Sequence, residues 1–268
     1  MISSDEEIFE MNNGCICCTV RGDLIRIIEK LMKRRHKFDH LLIETTGIAD
    51  PAPVIQTFFM DEDVQAKTRL DAVITVVDAH HISQHWEADE AQEQIAFADI
   101  ILLNKIDLVT PEVLQSLEQR IRSLNVMAKI YCTDHVQVSL ENLLDVHAFD
   151  LNRALEVDPN FLQEDAHEHD NTVGSIAIVE SGALDFDKVN RWISELLRNQ
   201  GADIFRMKGI LNIEGETHRF VFQGVHMLFD SERDRPWRPD ETPRNELVFI
   251  GRHLDETQLK DGFRACLV

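Results

Sequence analysis

The sequence predicts an α/β protein, a mostly parallel sheet covered by helices and followed by a smaller α+β domain. Three observations predict it. Short runs in the first half are apolar throughout rather than alternating, as strands buried on both faces are. Helical periods separate those runs, so the strands are joined by crossovers and lie parallel. After about residue 172 the runs alternate and follow one another closely, as antiparallel strands do.

Taken in order, Leu24, Ile27, Ile28 and Leu31 form one stripe of a first helix. Residues 40–43 (His-Leu-Leu-Ile) read as a short strand ending at Glu44-Thr45-Thr46-Gly47, and the Pro-rich turn at 50–53 leads into a short helix. A strand over 72–77 ends at Asp78. A helical stretch around 90–98 then precedes a strand over 100–103, which ends at Asn104-Lys105-Ile106-Asp107. Thr110 and Pro111 suit the N-cap and first position of a helix to about 124. A strand over 128–132 and a helix capped near Ser139 close a domain spanning 1–150. Residues 151–172 are acidic, include His167 and His169, and read as a linker. The domain at 173–268 holds a strand over 175–179, a helix over 186–199, strands around 204–213 and 219–229, a strand over 247–250 and a final helix from about Asp255.

Composition bounds the function. An apolar share of 44% with 28% charged residues fits a soluble globular chain. Net charge of −21 repels nucleic acid and anionic membranes, so neither is an expected partner. A phosphate ligand therefore needs local help from backbone N–H groups, lysine or Mg²⁺. No apolar run approaches the ~20 residues of a membrane span. The acidic opening Met-Ile-Ser-Ser-Asp-Glu-Glu is unlike a signal or transit peptide. Five cysteines, three of them clustered, argue against a disulfide framework and for a reducing cytoplasm.

Those three, Cys15, Cys17 and Cys18, demand a chemical reason. Thiolates bind Zn²⁺ and similar ions, and Gly14 permits the bend that brings the sulfurs together. The first helix starts just after them, where its dipole favours deprotonated thiols. Three thiolates leave a fourth position open, which suits a carrier or sensor; Glu10 and the histidines are candidates for it. The alternative is three buried, inert cysteines.

Just past a buried strand, Asn104-Lys105-Ile106-Asp107 fits guanine recognition. The Asp107 carboxylate can accept from the guanine N1–H and exocyclic amine, a pair adenine lacks. Asn104 would brace the loop and contact the base, while the Lys105 stem packs over its face. Glu44 can hold a Mg²⁺-bound water, and Gly47 lets a backbone N–H approach a γ-phosphate. Asp78 faces the same crevice, as a metal contact or, preferably, a loop cap. Cys132 and Thr133 lie where such folds close over guanine with backbone groups. Cys132 and Cys266 themselves suit small buried apolar roles.

Together, Gly-Cys-Ile-Cys-Cys-Thr at 14–19, Glu-Thr-Thr-Gly at 44–47 and Asn-Lys-Ile-Asp at 104–107 resemble the CobW-type GTPases, the metallochaperone family that includes zinc-regulated GTPase metalloprotein activators. Gln223-Gly224-Val225-His226-Met227 and the run Arg244 to Arg252 resemble that family's C-terminal domain. The resemblance implies a P-loop-NTPase-like GTPase domain of the SIMIBI class. It would bind GTP or GDP with Mg²⁺, hold Zn²⁺ or Co²⁺ through Cys15, Cys17 and Cys18, and deliver the ion to a client metalloprotein. GTP would order the cysteine segment and hydrolysis would loosen it. Oligomeric state is left open. The family's Gly-x-x-x-x-Gly-Lys-[Ser/Thr] phosphate loop occurs nowhere in these 268 residues, as if an N-terminal portion had been cut away. The expectation is weak GTP binding and negligible hydrolysis by this chain alone.

Overall fold

A computed structural model describes residues 19–45, 50–149 and 173–268. The chain divides into two compact units: Met1–Ile43 with Pro53–Arg69, and Glu44–Ala52 with Leu70–Val268.

The first unit is built on α1 (Thr19–Met32), whose last turn carries Lys30 against the negative helix end. Leu24 and Ile28, four residues apart, pack with Val64 of α3 (Glu62–Gln65) and with Val54 and Phe58 of α2 (Ala52–Met60). Asp61 caps α3 by accepting from the Val64 N–H at 2.9 Å. The expected strand at 40–43 does not form. Leu42 is 82% exposed, and no ladder pairs these residues. An apolar run does not by itself make a strand, which exists only where a neighbour completes its hydrogen bonds.

In the second unit, β1 (Ile74–Asp78), β2 (Ile100–Asn104) and β3 (Lys129–Cys132) form a parallel sheet in the order β1-β2-β3. Every residue of β2 is buried, as its unbroken apolar run requires. The short α4 (Ile82–His85) and then α5 (Asp89–Phe97) join β1 to β2, and α6 (Pro111–Leu124) joins β2 to β3. Thr110 caps α6 with Pro111 at its first position, as the sequence indicates. Buried Asn125 fastens the other ends. Its Nδ2 donates to the Ile95, Ala96 and Ala98 carbonyls, and its Oδ1 accepts from Met127 and Ala128. The expected helix after Ser139 is only a 3₁₀ turn, Leu140–Asn142, because Ser139 makes no side-chain cap to hold more.

The C-terminal sheet runs β4-β8-β5-β6-β7 and is antiparallel throughout: β4 (Val173–Ser181), β5 (Ile204–Leu211), β6 (His218–Val225), β7 (Leu228–Pro236) and β8 (Arg244–Arg252). One face packs on α7 (Phe186–Gln200) and α8 (Glu256–Arg264) around Ile193, Leu197, Phe249 and Phe263. The single run expected near 219–229 is a hairpin. His226 and Met227 turn between Val225 and Leu228, and β7 continues through Asp230 to Arg235. Those charges hide the strand from an apolar pattern and protect a sheet edge.

The two sheets meet through charge. Asp99, at the start of β2, is wholly buried with Arg206 and Lys208 of β5. Arg206 also donates to the Phe97 carbonyl, and Lys208 donates to the Ala148 carbonyl at 3.0 Å.

Candidate functional site

The carboxyl ends of β1, β2 and β3 bring the candidate residues together. Parallel register sets Asp78 beside Asn104 and Leu103 beside Cys132, so the loops leaving the three strands adjoin. Asn104 is buried, and its Oδ1 accepts from the Thr133 hydroxyl at 3.2 Å and the Val136 N–H at 2.9 Å. The Ile106 N–H reaches the Thr133 carbonyl at 3.4 Å. Asn104 thus braces the loop after β3 against its own, the bracing role read from the sequence.

Lys105 takes the left-handed conformation, φ 61°, which turns the chain sharply into the 3₁₀ turn Ile106–Leu108. Asp107, in that turn, is exposed, and its carboxylate engages no protein group among the described residues. Opposite, His135 and Val136 also lie at positive φ, 51° and 55°. A β-branched residue there is strained, and here the Asn104 bond holds it. The N–H groups of Asp134 and His135 donate to no protein group among the described residues. The corner therefore presents two carboxylate acceptors on one loop and backbone donors on the loop stitched to it.

Asp78 is a cap. Its Oδ1 accepts from the His80 and His81 N–H groups at 2.9 and 3.1 Å, and its Oδ2 from Lys105 Nζ at 2.7 Å and His81 Nδ1 at 2.9 Å. Partial burial raises the Asp78 carboxyl, but these donors more than offset it and hold the group well below the ordinary carboxylate range. Among the described residues no group of three or more His, Cys, Asp or Glu side chains is placed to hold a metal ion. The paired histidines after Asp78 are the part of this corner that sequence reasoning passes over. Two histidines following a strand-end acid are the signal that was there.

Cys132 departs from expectation. It is exposed, because β3 is an edge strand of the three described, and its thiol donates to Glu118 Oε1 at 3.1 Å. Cys266 is buried, as expected. Thr133 is buried, with its hydroxyl committed to Asn104. Glu44 is exposed, outside any strand, and makes no hydrogen bond or ion pair among the described residues. Gly47, the three cysteines at 15, 17 and 18, Glu10, His167 and His169 lie outside the described residues.

A parallel sheet with a braced, acid-bearing loop past its central described strand defines a nucleotide-binding α/β protein. The comparisons agree. The CobW/HypB/UreG nucleotide-binding domain matches residues 1–132, and the cobalamin synthesis protein cobW C-terminal domain matches 173–267. The zinc chaperone YjiA of Escherichia coli is 35% identical over 263 residues, 96% of this chain and 81% of that protein. Zinc-regulated GTPase metalloprotein activator 1 of Saccharomyces cerevisiae is 29% identical over 309 residues, 99% and 71% of the two chains. The crystal structure of Zn(II)-bound YjiA GTPase superposes with a TM-score of 0.80 at 33% identity, covering 94% of this chain and 79% of that one. The chain belongs to the CobW family, that of these zinc chaperones and zinc-regulated GTPase activators.

Proposed function

We propose that this chain acts as a GTP-dependent metal chaperone. It takes Zn²⁺ or Co²⁺ on Cys15, Cys17 and Cys18, reads guanine with Asn104, Lys105 and Asp107, and hands the ion to a client metalloprotein. The observation that carries the reading is the Asp107 carboxylate, held out on a braced loop with no protein partner among the described residues. Thr133 and Cys132 close the pocket by their backbone. The exposed Glu44 carboxylate suits a Mg²⁺-bound water, with the Gly47 N–H serving the γ-phosphate. The ion is cargo, and three thiolates leave it the open position that transfer needs. A solved Zn(II)-bound YjiA variant, in which a glutamate and two consecutive cysteines are replaced by alanine, makes an adjacent cysteine pair a place of interest in that relative. Here the adjacent pair is Cys17-Cys18.

A second reading, a metal- or client-binding module with a vestigial nucleotide site, is favoured by one observation. No Gly-x-x-x-x-Gly-Lys-[Ser/Thr] run occurs in the 268 residues. Turnover at an ordinary GTPase rate, abolished by Asp107→Ala, would refute the expectation of negligible hydrolysis. The base reading has its own test, titration of the chain and of Asp107→Asn with guanosine and xanthosine diphosphates. Asparagine offers an amide donor to the xanthine carbonyl, so preference moves from guanine to xanthine by about tenfold. An unchanged preference overturns the reading.

A further inference from the structure

Three bonds tie the turn after β1 to the loop after β2. The Ala79 N–H donates to the Asn104 carbonyl at 2.9 Å, Lys105 Nζ donates to Asp78 Oδ2 at 2.7 Å, and His80 Nδ1 lies 3.3 Å from the Leu108 carbonyl. The last requires the His80 ring to carry its proton on Nδ1. The attachments fall on Asn104, Lys105 and Leu108, so they bracket Asp107 from both sides in sequence. Asp78 in turn fixes its own turn, accepting from the His80 and His81 N–H groups.

We infer that the Asp78–His80 turn is a positioning element for base recognition, holding Lys105 and Leu108 so that Asp107 meets both donors of a guanine. The inference rests on the reading of Asp107 as the guanine acceptor. Lys105 in the left-handed region keeps that posture only if its surroundings hold it. With Nζ tethered to Asp78, its aliphatic stem is stretched between the two loops and offers a fixed floor for a planar base. The Leu108 carbonyl is the far anchor of the Asp107 turn, and a histidine bond to it limits how that turn can roll. His81 shares Asp78 Oδ2 with Lys105 and so keeps the carboxylate from rotating away.

The test uses a base that lacks one donor. Inosine diphosphate has the N1–H but no exocyclic amine, so Asp107 gains one bond from it and two from guanosine diphosphate. Both nucleotides are titrated by NMR into the chain and into Asp78→Asn, His80→Ala, Lys105→Met and the Asp78→Asn/Lys105→Met pair. Asp78→Asn keeps an acceptor oxygen for its turn while losing the charge that tethers Lys105. Loosening the bracket lowers the guanosine-to-inosine affinity ratio by about threefold in Asp78→Asn and in His80→Ala. The double variant loses no more than Lys105→Met alone, because Asp78 acts through Lys105. Equal loss for both nucleotides, an unchanged ratio, or additive loss in the double variant overturns the inference. A melting scan accompanies each variant. If Asp78→Asn melts early, His80→Ala decides, its ring being exposed. Asp107→Asn separates the two claims. If it removes the guanosine preference while the Asp78 and His80 variants keep it, only the positioning role fails. If it leaves the preference intact, or the unaltered chain prefers neither base, the guanine reading fails and takes this inference with it.

Discussion

The thiol of Cys132 donates to Glu118 Oε1, and burial together with that carboxylate pushes its pKa up to about 11. At pH 8 only about one such thiol in a thousand is ionised. Cys132 therefore resists alkylation although it is exposed, while the cysteines of the 15–18 cluster, which precede α1 in sequence, react first. Mass-mapped labelling with iodoacetamide at pH 8 checks this; Cys132 labelled as fast as Cys17 would contradict it. Its Glu118 bond could not be read from the sequence, because the partner lies fourteen positions away on a helix whose rotation no local pattern fixes. The exposed turn that carries Asp107 was legible for the opposite reason. Its neighbours in sequence are also its neighbours in space, and a four-residue turn past a strand needs no distant information. The Lys105 tether to Asp78 lay between these cases: each residue stood at a recognisable strand end, but their adjacency appears only when β1 and β2 pair.

Among the elements, β2 joins the two sheets as well as carrying the site. Its first end meets Asp99, where Arg206 and Lys208 of β5 converge on one carboxylate. Burial raises the Asp99 carboxyl, yet the two cations, with the Val73 N–H, override that and hold it below its ordinary value. A depressed folded-state pKa means that the unfolded chain takes up the proton first. Asp99 therefore stabilises fully above the ordinary carboxylate value of about 4, and that contribution fades as pH falls toward the lower folded value. Asp99→Asn removes the carboxylate that two buried cations share and costs about 3–5 kcal/mol at neutral pH. Urea melts across pH 2–7 check both statements: the variant starts lower and loses less stability on acidification. Equal acid sensitivity in the two proteins would contradict the assignment. The β2 run announced itself by being apolar throughout, whereas β7, charged from Asp230 to Arg235 except at Ser231, gave no such signal. The residues at 40–43 show the converse, since an apolar run without a paired neighbour stays outside the sheet.

At the scale of the whole molecule, fold class was legible because burial on two faces and burial on one write different periods into a sequence. The cysteine segment was read only as chemistry: clustered thiols suit a metal ion, and their geometry is not in the spacing. What unites the chain's parts is the claim that an ion on Cys15, Cys17 and Cys18 and a guanine nucleotide at Asp107 belong to one cycle. The most direct test is the visible spectrum of the chain titrated with Co²⁺, then with guanosine diphosphate or adenosine diphosphate. Thiolate-to-cobalt absorption should rise to one equivalent, disappear in Cys17→Ser, and shift on adding the guanosine nucleotide but not the adenosine one. Absence of thiolate bands, or the same response to both nucleotides, would contradict the account.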